Sequence, residues 1–241
     1  MKRQLLLATV LLLACRAVCS AQQPEYEAYQ AAVGNEFILY RGMQAPGYNF
    51  AANGHPYWES PDFVSGDLVF EGNTYYDVLL NIDAFSQQAF VRLPGSQITV
   101  ALSPVLATSL QWGDRHFVGV GPEDGVLPEG YYEVIGTGPE QVYKRVDKKL
   151  AKSSNNVNGD GIGYYDANYN PNVTRYFAIR RVYYFRDAEG RFSRFRGKAA
   201  LIRKFPGRRK EIRQAVSAAR LDLPGSSFDA FCQEVLKTVS R

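Results

Sequence analysis

The sequence is poor in the residues that most often carry chemistry. It holds three cysteines, two histidines, two methionines and two tryptophans among 241 residues. Cys15 and Cys19 fall near the start, which leaves Cys232 as the one thiol in the body of the chain. A single thiol forms no internal disulfide, so the fold must hold by its core. His55 and His116 are too few to build a zinc centre, and neither His55 with Glu59 nor His116 with Asp114 stands in a recognised motif. There is no G-x-S-x-G turn and no cysteine placed as a nucleophile. Beyond the first twenty residues, no apolar run approaches the ~20 residues that a membrane-spanning helix needs.

What the chain does have begins at its first residue. Met1-Lys2-Arg3 precede an apolar stretch from Leu5 to Ala14 that is broken only by Thr9, and small residues follow. A cationic start, a short apolar core and a small-residue tail describe a secretory signal peptide over residues 1–21. Two processing routes fit it. Cleavage after Ala21 leaves Gln22 first; alternatively Leu12-Leu13-Ala14-Cys15 acts as a lipobox and Cys15 carries a lipid anchor. Leu13 in place of a small residue, and Arg16 directly after the cysteine, suit the first route better. By either route the expected address is the periplasm, the outer membrane or the extracellular side.

Charge is unevenly placed. Residues 22–150 hold 7 basic and 16 acidic side chains, whereas residues 175–213 hold 14 basic and 3 acidic. A surface left that basic would need a standing anionic partner, so the expectation is that the second segment pairs within the molecule with the acidic strands. The exported address and the lack of a nucleic-acid motif argue against nucleic acid as that partner.

Periodicity gives the architecture. Tyr76, Val78, Leu80, Ile82 and Ala84 alternate with Asp77, Asn81 and Asp83, the period of a half-buried strand. Tight turns before and after it make the stretch from Asp67 to Leu102 an antiparallel meander of four strands. Further strands are expected at 116–120, 131–135 and 142–146, and a hairpin at 174–186 and 191–195. In that hairpin Arg180-Arg181 spoils the alternation and suggests a bulge or a strand end there. Then the period changes. Ala199, Ile202 and Phe205 fit a short helix ending at Pro206. Ile212, Ala215, Val216 and Ala219 make a buried helical stripe with Arg209, Arg213 and Arg220 on the other face. Phe228, Phe231, Cys232, Val235, Leu236 and Val239 make a stronger stripe, with Ser226 and Asp229 as its capping pair. The expected fold is α+β, mostly an antiparallel β meander, open or partly closed, with two or three C-terminal helices packed on it. Its parts are the signal (1–21), an acidic β region (22–150), a polar loop or linker (151–173), and a basic hairpin with helices (174–241) that shares one domain with the β region.

Val182-Tyr183-Tyr184-Phe185, the run from Gly197 to Pro206, and Lys210-Glu211-Ile212-Arg213 together resemble the tail of secreted Bacteroidetes proteins that carry a tyrosine-rich strand, a K-x-x-L-L-K-x-F-P segment and a basic helix. The likeness covers roughly the last seventy residues. It implies an envelope address and brings no activity with it.

Candidate sites are few. Asn156-Val157-Asn158-Gly159-Asp160-Gly161-Ile162 echoes a calcium loop, but Ala167 stands where the bidentate Glu belongs and Asp160 is the one acid among the first five positions. No metal or cofactor is therefore expected. Paired aromatics such as Tyr57-Trp58 tend to expose one ring of each pair on a strand, and exposed rings stack on sugars or anchor proteins. Tyr57, Trp58, Arg209, Arg213 and Arg220 are thus the binding candidates. The expected function is an exported, non-catalytic binding or assembly protein of the bacterial envelope whose partner is a protein or glycan. Two alternatives stay open: a carrier holding an acyl chain between a curved sheet and the helices, and a hydrolase with an unrecognised site.

Overall fold

A computed structural model describes residues 38–152 and 173–240. The expected signal with Cys15, the calcium-like run and residues 153–172 of the expected linker lie outside the described residues.

Eleven antiparallel strands form one sheet. They are β1 (Met43–Gln44), β2 (Val64–Phe70), β3 (Asn73–Asp83), β4 (Gln88–Arg92), β5 (Thr99–Leu102), β6 (Ala107–Trp112), β7 (Arg115–Val120), β8 (Gly130–Ile135), β9 (Gln141–Lys152), β10 (Arg175–Arg186) and β11 (Phe192–Phe195). Their order across the sheet is β1-β5-β4-β3-β2-β6-β7-β8-β9-β10-β11, so the sheet is open, with β1 and β11 at its edges. Helices α1 (Lys198–Ile202), α2 (Arg209–Ala218) and α3 (Phe228–Val239) follow β11. The protein is α+β. Ala151 and Lys152, expected in the linker, are the end of β9.

Local detail departs from the expectation at Tyr75–Tyr76, at Arg180-Arg181 and at the start of α3. In β3 it is Tyr75, not Tyr76, that is buried. Gly66 pairs with Val78 but Leu68 pairs with Tyr75, so β3 carries an extra residue. Asp77, at φ 54°, lies in this bulge, which reverses which side chains face inward. The bulge or strand end expected at Arg180-Arg181 is absent, because β10 pairs with β9 without a break from Arg175 to Arg186. Arg180 stands opposite Asp147 and forms an ion pair with it at 2.7 Å, so its charge is met within the strand pair. At the start of α3 the cap is Ser227, whose side chain accepts from the Ala230 N–H, rather than Ser226.

Two apolar clusters sit on the sheet. One gathers Trp58, Leu68, Leu80, Leu110, Phe117 and Tyr131. The other is where the helices dock, and it joins Val142 and Phe185 of the sheet to Leu201, Ile212, Phe231 and Val235. Residues 48–58 bind the sheet's own turns together. Trp58 N donates to Ile82 O and Ala84 N to Pro56 O, while Asn53 N donates to Arg175 O and Phe177 N to Asn53 O. Lys148 N also donates to Ala84 O, so the sheet curls until β9 meets the β3–β4 turn.

Candidate functional site

Between the two apolar clusters runs a polar seam. Strand register sets Glu133 (β8) opposite Lys144 (β9), and Lys144 opposite Tyr183 (β10). Lys144 Nζ donates to Glu133 at 3.0 Å and to Asp229 of α3 at 2.6 Å. The Tyr183 hydroxyl donates to the other Asp229 oxygen at 2.8 Å. Arg115 grips Glu133 with Nε and Nη2 at 2.8 and 3.0 Å, and Glu59 with Nη1 at 2.6 Å. Burial opposes the charge of Lys144, but Glu133 and Asp229 outweigh it and hold its pKa above the ordinary lysine value. Arg115 is raised in the same way by Glu133 and Glu59 against its own burial. Every charge in this seam is answered by the protein itself, which makes it a joint between sheet and helices.

A second buried group lies beneath residues 48–58. Asp83 accepts from the backbone N–H groups of Phe85 and Ser86 and from the Tyr48 hydroxyl. Lys148 donates to His55 O at 2.8 Å, with His55 Nδ1 at 3.4 Å. Burial, helped by the nearby Arg181 charge, pushes Lys148 down to about 8. The rings of Tyr48, Phe50, Phe85 and Phe177 cluster above it. The histidines are otherwise placed than an acid–base pair would need. His116 lies on the exposed side of β7 with Nε2 3.0 Å from Ser109 Oγ. Among the described residues no third group orients that pair, and no group of three or more His, Cys, Asp or Glu side chains is arranged to hold a metal.

The basic segment forms a face. Its arginines are not neutralised by the acidic strands as expected. Among the described residues, Arg180 with Asp147 is the one ion pair that links the two segments. Arg191 pairs locally with Asp187 and Glu189, and Arg208 with Glu211. The physical reason is register: β10 lies against the one basic stretch of the acidic region, so Ile179 and Ala178 face Lys148 and Lys149. Exposed Arg181, Arg194, Arg196, Arg203, Arg209 and Arg213 have no acidic partner among the described residues.

These side chains ring two open pockets. One, of about 530 Å³, has Arg203, Arg209 and Arg213, with one acid, Asp222, on its wall, around an apolar floor that includes Ile202, Val216 and Phe231. The other, of about 390 Å³, has Arg180, Arg181, Arg194 and Arg196 around Tyr183 and Phe228. No protein-family model, curated protein or solved structure matches this chain. The face is therefore judged by its own chemistry.

Of the residues chosen from sequence, Arg209 and Arg213 line the larger pocket. Arg220 does not, because it lies past the end of α2 at φ 55°, in a left-handed turn that lets Leu221 N reach Val216 O. Trp58 is 3% exposed and packs edge-on to Phe117, so it presents no ring to a ligand. Tyr57 is half-buried against Phe63 and Phe90. Tyr131 and Tyr132 are both buried, with hydroxyls donating to Ala107 O and Pro128 O. The sequence reading missed Arg180, Arg181, Arg194, Arg196 and Arg203. A usable signal was the spacing of Arg194 and Arg196, two apart and therefore on one side of an extended chain.

Proposed function

We propose that this chain is an exported, non-catalytic binding protein of a bacterial envelope, and that it meets its partner through the basic face of β10, β11, α1 and α2. The observation that carries this reading is a set of six exposed arginines that form no ion pair among the described residues and stand around two open pockets. A charge in water needs no partner, but six of one sign gathered on one face repel each other, and an anion relieves that repulsion. The charged start and short apolar core at residues 1–21 support export. Among the described residues no helix is long and apolar enough to cross a membrane. The pockets are open and rimmed by cations, which suits recognition of an anion better than enclosure of an acyl chain.

Retention on a sulfated-polysaccharide column and on anionic vesicles, at low and moderate salt, tests this. Strong retention that falls steeply with salt is expected, because screening acts within a Debye length of about 10 Å at 0.1 M. Passage through both at low salt would overturn it. Intact mass of the secreted protein should begin at Gln22, or at a lipid-modified Cys15.

A further inference from the structure

The two arginine pockets are neighbours. Gly197 lines one and Lys198 the other, and Phe228 and Phe231, one turn apart on α3, lie in the two floors with their rings stacked at 6.0 Å. Lys198 itself is taken up by the protein. Its ammonium donates to Leu221 O at 2.6 Å and to Ser226 Oγ at 2.7 Å, which fixes the α2–α3 connection beside the larger pocket. Arg203, Arg209 and Arg213 around it form no ion pair among the described residues.

The shape of this surface decides among anions. A lipid surface is met by apolar side chains that protrude among the cations. Among the described residues, Leu223 is the one strongly exposed large apolar residue after β10; the others lie between Ile38 and Val126. The rings here are recessed instead: Phe231 and Phe195 are buried, and Tyr183 and Phe228 are half-buried beneath arginines. A recessed ring bordered by guanidinium groups suits a flat, partly apolar unit bearing a carboxylate or sulfate. The ring takes the apolar face, and the planar guanidinium takes the charge with two parallel hydrogen bonds. An acidic sugar has that form, and two adjacent pockets suit a chain of them.

Resting on the reading of the basic face as the contact surface, we propose that the Arg180–Arg196 pocket and the Arg203–Arg213 pocket bind one acidic polysaccharide chain, each taking a charged sugar. Linking two weak sites through one chain raises affinity by effective concentration alone. Binding should therefore depend on chain length.

The test is calorimetric titration of the full chain with oligogalacturonates of graded length. Neutral oligosaccharides, phosphatidylglycerol vesicles and a single-stranded oligonucleotide are run beside them. Affinity is expected to rise steeply up to the length that bridges both pockets and then level off. Arg209→Ser with Arg213→Ser should lower long-chain affinity about tenfold or more, towards that of short oligomers, as should Arg194→Ser with Arg196→Ser. Arg191→Ser, outside both pockets, should change it less than about twofold. An equal loss in Arg191→Ser would mean diffuse charge attraction and overturn the two-pocket site, as would affinity independent of length. Binding to vesicles or oligonucleotide without binding to oligogalacturonate would overturn the polysaccharide and leave the basic face standing. Binding to none would overturn the face as well.

Discussion

The polar seam and the basic face share a boundary at Tyr183 and use the same kinds of residue, yet they treat charge in opposite ways. In the seam, Lys144 keeps 3% of its side chain exposed and has two carboxylates within 3.0 Å. On the face, Arg181, Arg194, Arg196, Arg203, Arg209 and Arg213 reach solvent and form no ion pair among the described residues. A cation taken out of water must be matched by partner atoms, because the cost of leaving it bare is several kcal/mol. One left in water meets no such demand, so its lack of a partner is a choice the fold did not have to make. The first arrangement is architecture. The second is available for binding.

The comparison breaks most readily at Lys144. Replacing it with Met takes away the cation that holds Asp229, while Arg115 still holds Glu133, and should cost about 3 kcal/mol of stability in urea unfolding, since Asp229 keeps 34% of its side chain exposed. Adding Asp229→Asn should recover part of that loss, since it removes the charge left without a cation. A loss below about 1 kcal/mol would mean that water already reaches the seam, as it reaches a surface pair.

Next in size is Cys232, which lies in the helix-docking cluster with no exposed area. Burial, with Asp229 nearby, pushes its thiol pKa up, so little thiolate is present at neutral pH. Alkylation should be slow in the folded protein and fast in denaturant. Cys232→Ser should cost about 1–3 kcal/mol, because the hydroxyl enters an apolar site. Rapid native labelling would show that α3 is not packed on the sheet.

How far the sequence exposed these features depends on whether a period was intact. Val78, Leu80, Ile82 and Ala84 kept their period and made the strand legible, but Asn81 and Asp83 between them are buried as well, so this end of β3 is covered on both sides rather than half-buried. β6 was not legible: its buried residues, Ala107 and Leu110, stand three apart because Thr108 is extra in the pairing of Val69 with Ser109 and Phe70 with Ala107. The bulge in β3 likewise erased the signal at Tyr75. Helical stripes were read correctly from Ile212 and Val216, and from Phe231 to Leu236. The seam was invisible because Arg115, Glu133, Lys144 and Tyr183 are brought together by strand pairing, and Glu59 and Asp229 by a loop and a helix laid on the sheet, none of which a local pattern records. The basic face was half legible. Composition marked the segment, but only the pairing of β9 with β10 shows that the nearest strand offers lysines and a single useful aspartate.

Lys148 sharpens the comparison from a third position, buried like Lys144 but with no carboxylate bonded to it among the described residues. Its pKa is lowered from 10.5 to about 8, so between those values the unfolded chain binds more protons than the folded one. Stability should therefore rise with pH across that window, and Lys148→Met should flatten the rise. The groups acting on Lys148 are Arg181, which lowers its pKa, and Asp83 and Glu59, which raise it. Tyr48, Tyr131 and Tyr183, whose pKa values burial raises, act in the opposite sense above about pH 10. The readable quantity is thus the difference between wild type and variant, taken by urea unfolding at pH 8 and 9.5. No difference in slope would place Lys148 in contact with solvent.

The smallest effect on stability is the most telling one. Arg203→Ser, Arg209→Ser and Arg213→Ser remove exposed side chains that have no carboxylate partner among the described residues, so each should change stability by less than about 0.5 kcal/mol. Together they should stabilise slightly by relieving repulsion, and a small upward shift in melting temperature is the expected sign. The same triple variant should lose most of its salt-sensitive retention on the sulfated column. Lys144→Met gives the opposite pattern, a large loss of stability with the pocket arginines intact, so that at a temperature where it remains folded its retention should match wild type. If the arginine variant loses stability as Lys144→Met does, its side chains are held by contacts within the protein, and the distinction between joint and face fails. If it keeps both stability and retention, the anion is bound elsewhere.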